Sequence, residues 1–275
     1  MMVLTRLAGQ PNGILPSMLN DRRIWSEVPP GFKQITDAHG SRLVVRQDQE
    51  RFISIPLCRD STSQEGSSRF EGREKIRSIK LPDGETALIR SYRHGGLFRH
   101  ITGSVFFTWP PRPFRELRIT EELRQRGIPT VEVYGACVEP LTGPLYRGWL
   151  ITRELKGSRD LWSGFRSGFV RELGIERVLH AVARSLRSLH REGVYHRDLN
   201  LKNILVRLEP AGVKGYIIDF DKAKLFFGTL PPGLVKRNMD RLLRSIRKLD
   251  PDREYFSATD WHRFFEFYHA ADGDD

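Results

Sequence analysis

Tyr195-His196-Arg197-Asp198-Leu199-Asn200-Leu201-Lys202-Asn203-Ile204-Leu205 is the stretch from which the rest of the chain is read. It sets Asp198 and Asn203 in one polar loop that runs into the apolar Ile204-Leu205-Val206. A second short apolar strand, Tyr216-Ile217-Ile218, then delivers Asp219-Phe220-Asp221. Carboxylates and an amide held at neighbouring strand ends suit one chemistry well. Asp198 is placed to accept a hydroxyl proton, while Asn203 and Asp219 offer hard oxygen ligands to Mg²⁺.

The pattern is similar to the protein-kinase catalytic loop, His-Arg-Asp-Leu-x-x-x-Asn, followed by a metal-binding Asp-Phe-x. Working outward, a kinase needs a cation on a strand, an acid on a helix and a loop over the phosphates. Ala87-Leu88-Ile89-Arg90 stands where Val-Ala-Ile-Lys stands in a protein kinase. Arginine keeps the charge and pairs bidentately with a carboxylate or a phosphate. Glu116, in the first turn of a helix expected over 113–126, is its natural partner; Pro113 opens that helix and Gly127 with Pro129 ends it. Gly72 is the candidate for the phosphate loop, although the usual multi-glycine pattern is absent and an ordinary turn reads equally well.

Around these residues the pattern predicts strands at 42–46 and 52–55. A hairpin follows, with strands at 75–81 and 86–92 and a Pro82-Asp83-Gly84 turn in which Gly takes positive φ cheaply. The Ser/Thr/Gly-rich tract at 60–68 reads as a flexible loop, and Arg93-His94-Gly95-Gly96 with Arg99 as either a solvated loop or an anion-contacting edge. Trp149-Leu150-Ile151-Thr152 gives a buried strand leading to the hinge at Arg153-Glu154-Leu155. The strongest helix spans 176–192, with Val178, Leu179, Val182, Leu186 and Leu189 as its apolar stripe and Gly193 as its stop. Its His180 and His190 read as surface or packing residues. Beyond Asp221, 225–234 looks irregular, 236–249 reads as a basic amphipathic helix, and 261–268 as a final aromatic helix.

The fold class expected is α+β: a two-lobed, protein-kinase-like domain with a sheet-rich N-lobe over 28–152 and a short helical C-lobe over 153–275. Residues 1–27 are expected to be a disordered extension. A net charge of +11 over 275 residues favours an anionic partner: nucleic acid, an anionic membrane surface or a phosphorylated substrate. Only two cysteines are present, which fits neither a disulfide framework nor a metal cluster and agrees with a reducing compartment. No apolar run approaches a membrane span, and the first 20 residues lack a signal-peptide core.

Three segments carry a closer likeness: Leu88-Ile89-Arg90-Ser91-Tyr92-Arg93-His94-Gly95-Gly96-Leu97, Arg112-Pro113-Phe114-Arg115-Glu116-Leu117-Arg118 and Tyr195-His196-Arg197-Asp198-Leu199-Asn200. With Asp219-Phe220-Asp221 and the short ending that carries Asn238-x-x-Arg241-Leu242-x-Arg244-Ser245, the chain resembles the bacterial lipopolysaccharide kinases over roughly 70–268, particularly the 3-deoxy-D-manno-octulosonic acid (Kdo) kinases. The resemblance implies ATP and Mg²⁺, and phosphorylation of a sugar hydroxyl on a Kdo-bearing lipid A–core precursor. It also implies peripheral attachment to the cytoplasmic face of the inner membrane and no nucleic acid partner. Carried over, Asp198 is the base, Asn203 and Asp219 hold the metal, Arg90 and Glu116 position phosphate, and Gly72, Arg90, Asn203 and Asp219 contact the nucleotide. A heptose kinase, a protein Ser/Thr kinase and an inactive kinase-fold binding module remain as alternatives.

Overall fold

The computed structural model describes residues 28–59, 76–92, 105–108 and 110–270. The expectations for 1–27, for the 60–68 tract, for Gly72 and for the Arg93–Arg99 segment lie outside the described residues.

Six antiparallel strands form the first sheet, in the order β1-β2-β5-β6-β4-β3. They are β1 (Phe32–Thr36), β2 (Arg42–Arg46), β3 (Ile76–Lys80), β4 (Thr86–Ser91), β5 (Val133–Pro140) and β6 (Tyr146–Arg153). The β3–β4 hairpin closes at the expected turn. Gly84 takes φ +81°, and the Asp83 carboxylate accepts from the Glu85 N–H at 3.0 Å. The expected strand at 52–55 does not form. The Phe52 and Ile53 N–H groups instead bond back to the Gln49 carbonyl, and a short helix α1 (Ile55–Arg59) follows. Pro56 decides this locally, since it has no N–H for a ladder but is tolerated in the first turn of a helix.

Helix α2 (Arg112–Gln125) joins the two halves of the molecule. Phe114 and Leu117 pack into a core with Val44, Ala136 and Leu150 of the sheet, while Ile119 and Leu123 enter the larger C-terminal core. Glu116 therefore sits at the junction between them. Cys58 and Cys137 meet inside the sheet's second core layer. The neighbouring Cys137 thiol, together with burial, pushes the Cys58 thiol up.

The C-terminal half contains β7 (Arg159–Asp160), α3 (Leu161–Arg166), α4 (Phe169–Leu173), α5 (Ile175–Arg191) and β8 (Val194–Tyr195). It continues with β9 (Ile204–Glu209), β10 (Gly212–Ile217), β11 (Lys224–Leu225), α6 (Pro232–Leu249) and α7 (Ala258–Ala270). The predicted stripe of α5 is buried throughout. Gly193 stops the helix at φ +71°, and a Cβ there would lie 2.4 Å from the Phe226 carbonyl oxygen and 2.5 Å from that of Gly228. Only glycine satisfies both constraints. The 225–234 region is less irregular than expected. Lys224 and Leu225 pair with Tyr195 and Val194, and Pro232 already lies in the first turn of α6, where its missing N–H costs nothing.

Beneath the Tyr195–Leu205 loop lies a buried polar chain. Asn238 of α6 is fully buried. Its Nδ2 donates to the His196 carbonyl at 3.0 Å, and its Oδ1 accepts from the His196 N–H at 3.3 Å and from His190 Nε2 at 3.0 Å. His190 Nδ1 then accepts from the Tyr268 hydroxyl at 2.7 Å. Burial, with His196 adding to it, pushes the His190 imidazole down to about 4. An unfolded chain binds this proton near pH 6.5 whereas the folded one does not, so this contribution to stability is complete above pH 6.5. It falls away as the pH drops from 6.5 towards 4. The loss reaches about 3 kcal/mol at most. Denaturant melts across that window should show it, and the His190→Gln variant should have a flatter dependence. Equal slopes for parent and variant would remove His190 as the cause.

Candidate active site

The six-stranded sheet and α2 present a cation and an acid to the Asp219 loop. Arg90 leaves β4, and its Nη2 donates to both carboxylate oxygens of Glu116 at 2.6 Å; Nη1 donates to Asp219 Oδ1 at 3.0 Å. One guanidinium thus links the sheet, α2 and the Asp-Phe-Asp segment. Glu116 is only 2% exposed and also accepts from the Tyr92 hydroxyl. Burial pushes its carboxyl up, the Arg90 guanidinium pulls against that, and the charges of Asp219 and Asp221 add to the push. At Asp219 burial also acts upward, but the charge and hydrogen bond of Arg90 outweigh it and hold the carboxyl below its ordinary range.

Asp219 has φ +68°, a left-handed backbone uncommon outside glycine. Strain of this kind persists where surrounding contacts fix the residue. Here the Ile218 N–H donates to the Asn203 carbonyl at 3.0 Å, and the Phe220 ring stands against His196 at 5.2 Å between centroids. His196 is fully buried and its imidazole is lowered by burial, so it is neutral. Its Nε2 lies 2.9 Å from the Ile218 carbonyl and its Nδ1 accepts from the Asp198 N–H at 3.3 Å, which assigns the proton to Nε2.

Asp198 itself is exposed. Its backbone carbonyl accepts from the side-chain amides of Asn200 and Asn203, each at 2.8 Å. With Nδ2 of Asn203 so committed, Oδ1 is the oxygen that side chain has left to offer a ligand. Asp198, Asn203, Asp219, Arg90 and Glu116 are therefore brought into one hydrogen-bonded region.

Sequence reasoning missed a second clasp. Arg112 engages both carboxylate oxygens of Asp221, through Nε at 2.9 Å to Oδ1 and through Nη2 to Oδ2, with its guanidinium over the rings of Tyr92 and Phe106. Arg115 reinforces it with a hydrogen bond to the Ala223 carbonyl at 2.9 Å. A signal was present. A cation in the first turn of a helix works against the helix dipole, a small cost that an acid beside Arg112 offsets.

Comparison with known proteins places this architecture. The lipopolysaccharide kinase (Kdo/WaaP) family model matches residues 62–268. The chain belongs to this family. A 3-deoxy-D-manno-octulosonic acid kinase of Pasteurella multocida (strain Pm70) is 31% identical over 209 residues, covering 74% of this chain and 84% of the relative. One from Xylella fastidiosa (strain M12) is 34% identical over 191 residues, covering 67% and 72%. Among solved structures, WaaP in complex with acyl carrier protein superposes with a TM-score of 0.54 at 17% identity, covering 83% of this chain and 89% of that one. This likeness shows the kinase-like fold. As a lipopolysaccharide kinase (Kdo/WaaP) family member, the protein is an ATP-using phosphotransferase of lipopolysaccharide biosynthesis acting on a sugar hydroxyl.

Proposed function

We propose that the protein transfers the γ-phosphoryl group of ATP to a Kdo hydroxyl of a lipid A–core precursor. The observation that carries the site assignment is the Glu116–Arg90–Asp219 chain, set beside a catalytic loop whose backbone is locked by His196, Asn200 and Asn203. The acceptor class follows from the named activity of the relatives.

Asp198, exposed on that locked loop, takes the hydroxyl proton as the new P–O bond forms. Arg90 orients the transferring phosphate while Glu116 fixes its planar fork. The Asn203 amide oxygen and the Asp219 carboxylate are hard oxygen donors and would be the residues that hold a Mg²⁺ ion. When bound, the ion neutralises charge on the β- and γ-phosphates. Gly72 remains the candidate phosphate-loop residue on sequence grounds alone.

Association with the inner membrane surface is part of the reading. No helix among the described residues is long and apolar enough to cross a membrane, while Arg247 and Lys248 of α6 are exposed cations suited to an anionic surface. One experiment tests both parts: ATP and a Kdo-bearing lipid A precursor presented in anionic vesicles, with mass spectrometry of the lipid and sedimentation of the vesicles. The expected result is a lipid one phosphate heavier and enzyme that pellets with the vesicles until salt releases it. Phosphate appearing only on a heptose-bearing acceptor would replace the Kdo assignment.

A further inference from the structure

A cleft of ≈ 460 Å³ opens next to the catalytic loop. Arg197 lines it from the position immediately before Asp198, Lys224 from β11, and Arg237, Arg241 and Arg244 from one stripe of α6. These three positions fall on one helix face because successive turns bring residues three and four apart into line. Asp240 is the one acid in the lining, and its carboxylate is drawn to Lys236 at 2.8 Å. Among the described residues none of the five cations is ion-paired with an acid. Arg241 is half-buried, while Arg237 and Arg244 are exposed.

Exposed cations on a helix are ordinarily solvated and need no explanation. Here two features differ from that case. The cations converge on a concavity rather than a convex face. The helix is also fixed relative to the reaction site, because Asn238 holds His196 and Ser245 Oγ accepts from the Leu201 N–H at 3.2 Å. The three arginines are thereby set at a fixed offset from Asp198. Planar guanidinium groups clustered in this way match a carboxylate or a phosphate bidentately.

We infer that this cleft is the oxyanion subsite of the acceptor: it grips an anionic group of the glycolipid and thereby presents the neighbouring sugar hydroxyl to Asp198. The inference rests on the acceptor class proposed above, and two groups of that acceptor share the required chemistry, the carboxylate of the acid sugar and a phosphate on the lipid A moiety. It separates the work of the cations on α6. Arg237, Arg241 and Arg244 read the acceptor, whereas Arg247 and Lys248 lie outside the cleft lining.

The test uses the full chain and a deacylated, water-soluble Kdo-bearing lipid A backbone as the probe, followed by calorimetric titration. The Arg241→Ala/Arg244→Ala variant is expected to bind it at least tenfold more weakly than the parent, to raise the acceptor KM similarly, and to keep the parent's ATP affinity. Arg237→Glu, at an exposed position, repeats the test without disturbing packing. Two further probes distinguish the sources. If the carboxyl-reduced glycan abolishes the difference between parent and variant, the cleft reads the carboxylate; if the dephosphorylated glycan does so, it reads the phosphate. Equal binding by parent and both variants would overturn the inference, as would a loss of affinity confined to ATP, or a difference that survives both modified glycans. Phosphorylation of the Kdo lipid with unaltered acceptor KM in the variants would sink the cleft alone. Arginine-dependent glycan binding without any phosphorylation would sink the functional reading and keep the cleft.

Discussion

The Asp198→Asn variant is expected to turn over about 10²–10⁴-fold more slowly than the parent while binding ATP almost as well, the scale of losing a general base. The argument rests on how the loop is held. Its hydrogen bonds at residue 198 are made by the backbone: the N–H donates to His196, and the carbonyl accepts from Asn200 and Asn203. An isosteric amide leaves all three in place and removes only the capacity to accept a proton. Asp219→Asn serves as the contrast, because it weakens the hold on metal-bound nucleotide and phosphoryl transfer together. Nucleotide titration and single-turnover transfer on both variants separate the roles. An Asp198→Asn enzyme with the parent's kcat would remove Asp198 from the chemistry.

Breaking the Arg90–Glu116 pair should be nearly as damaging. With both Glu116 oxygens 2.6 Å from Nη2 and the carboxylate almost fully buried, Glu116→Ala removes the carboxylate that holds Nη2 of Arg90 and strands the Tyr92 hydroxyl. Removing one partner of a buried ion pair costs about 3–5 kcal/mol of stability. Loss of an oriented cation at the phosphates costs on the order of 10²–10³ in rate. Both single alanine variants should show the rate loss, and the double variant should be little worse than either, because the two residues act as one unit. Thermal melts run in parallel separate unfolding from lost chemistry. Arg90→Lys tests the fork itself. A single ammonium cannot reproduce donation to Glu116 and Asp219 from two nitrogens in one plane, so only partial rescue is expected. Fully additive rate losses in the double variant would dissolve the pair.

The parts of this site that could be read from sequence are those with local chemistry. The Pro82-Asp83-Gly84 turn, the α5 stripe closed by Gly193, and the Asp198-to-Asn203 spacing are each decided within a few residues, and the structure has them in place. Short apolar runs were less informative. Phe52-Ile53-Ser54-Ile55 fits strand and helix patterns alike, and Pro56 weighs against the strand. The Arg112–Asp221 clasp and the meeting of Cys58 with Cys137 join residues far apart in the chain, so no spacing rule announces them. Asn238 belongs to the same class. In the sequence it is legible only as the first residue of the Asn238-x-x-Arg241-Leu242-x-Arg244-Ser245 run, yet it holds the main chain of His196 on both sides.

That hold reaches further than the loop. Tyr268 lies in the last turn of α7, and Arg187 also reaches into that turn to bond its backbone carbonyls. Helix ends are where local opening begins. In this protein such opening would propagate from the Tyr268 hydroxyl to His190, from His190 to Asn238, and from Asn238 to the residue two before Asp198. Loosening of the last turn of α7 would thus reach the main chain of the loop that carries Asp198.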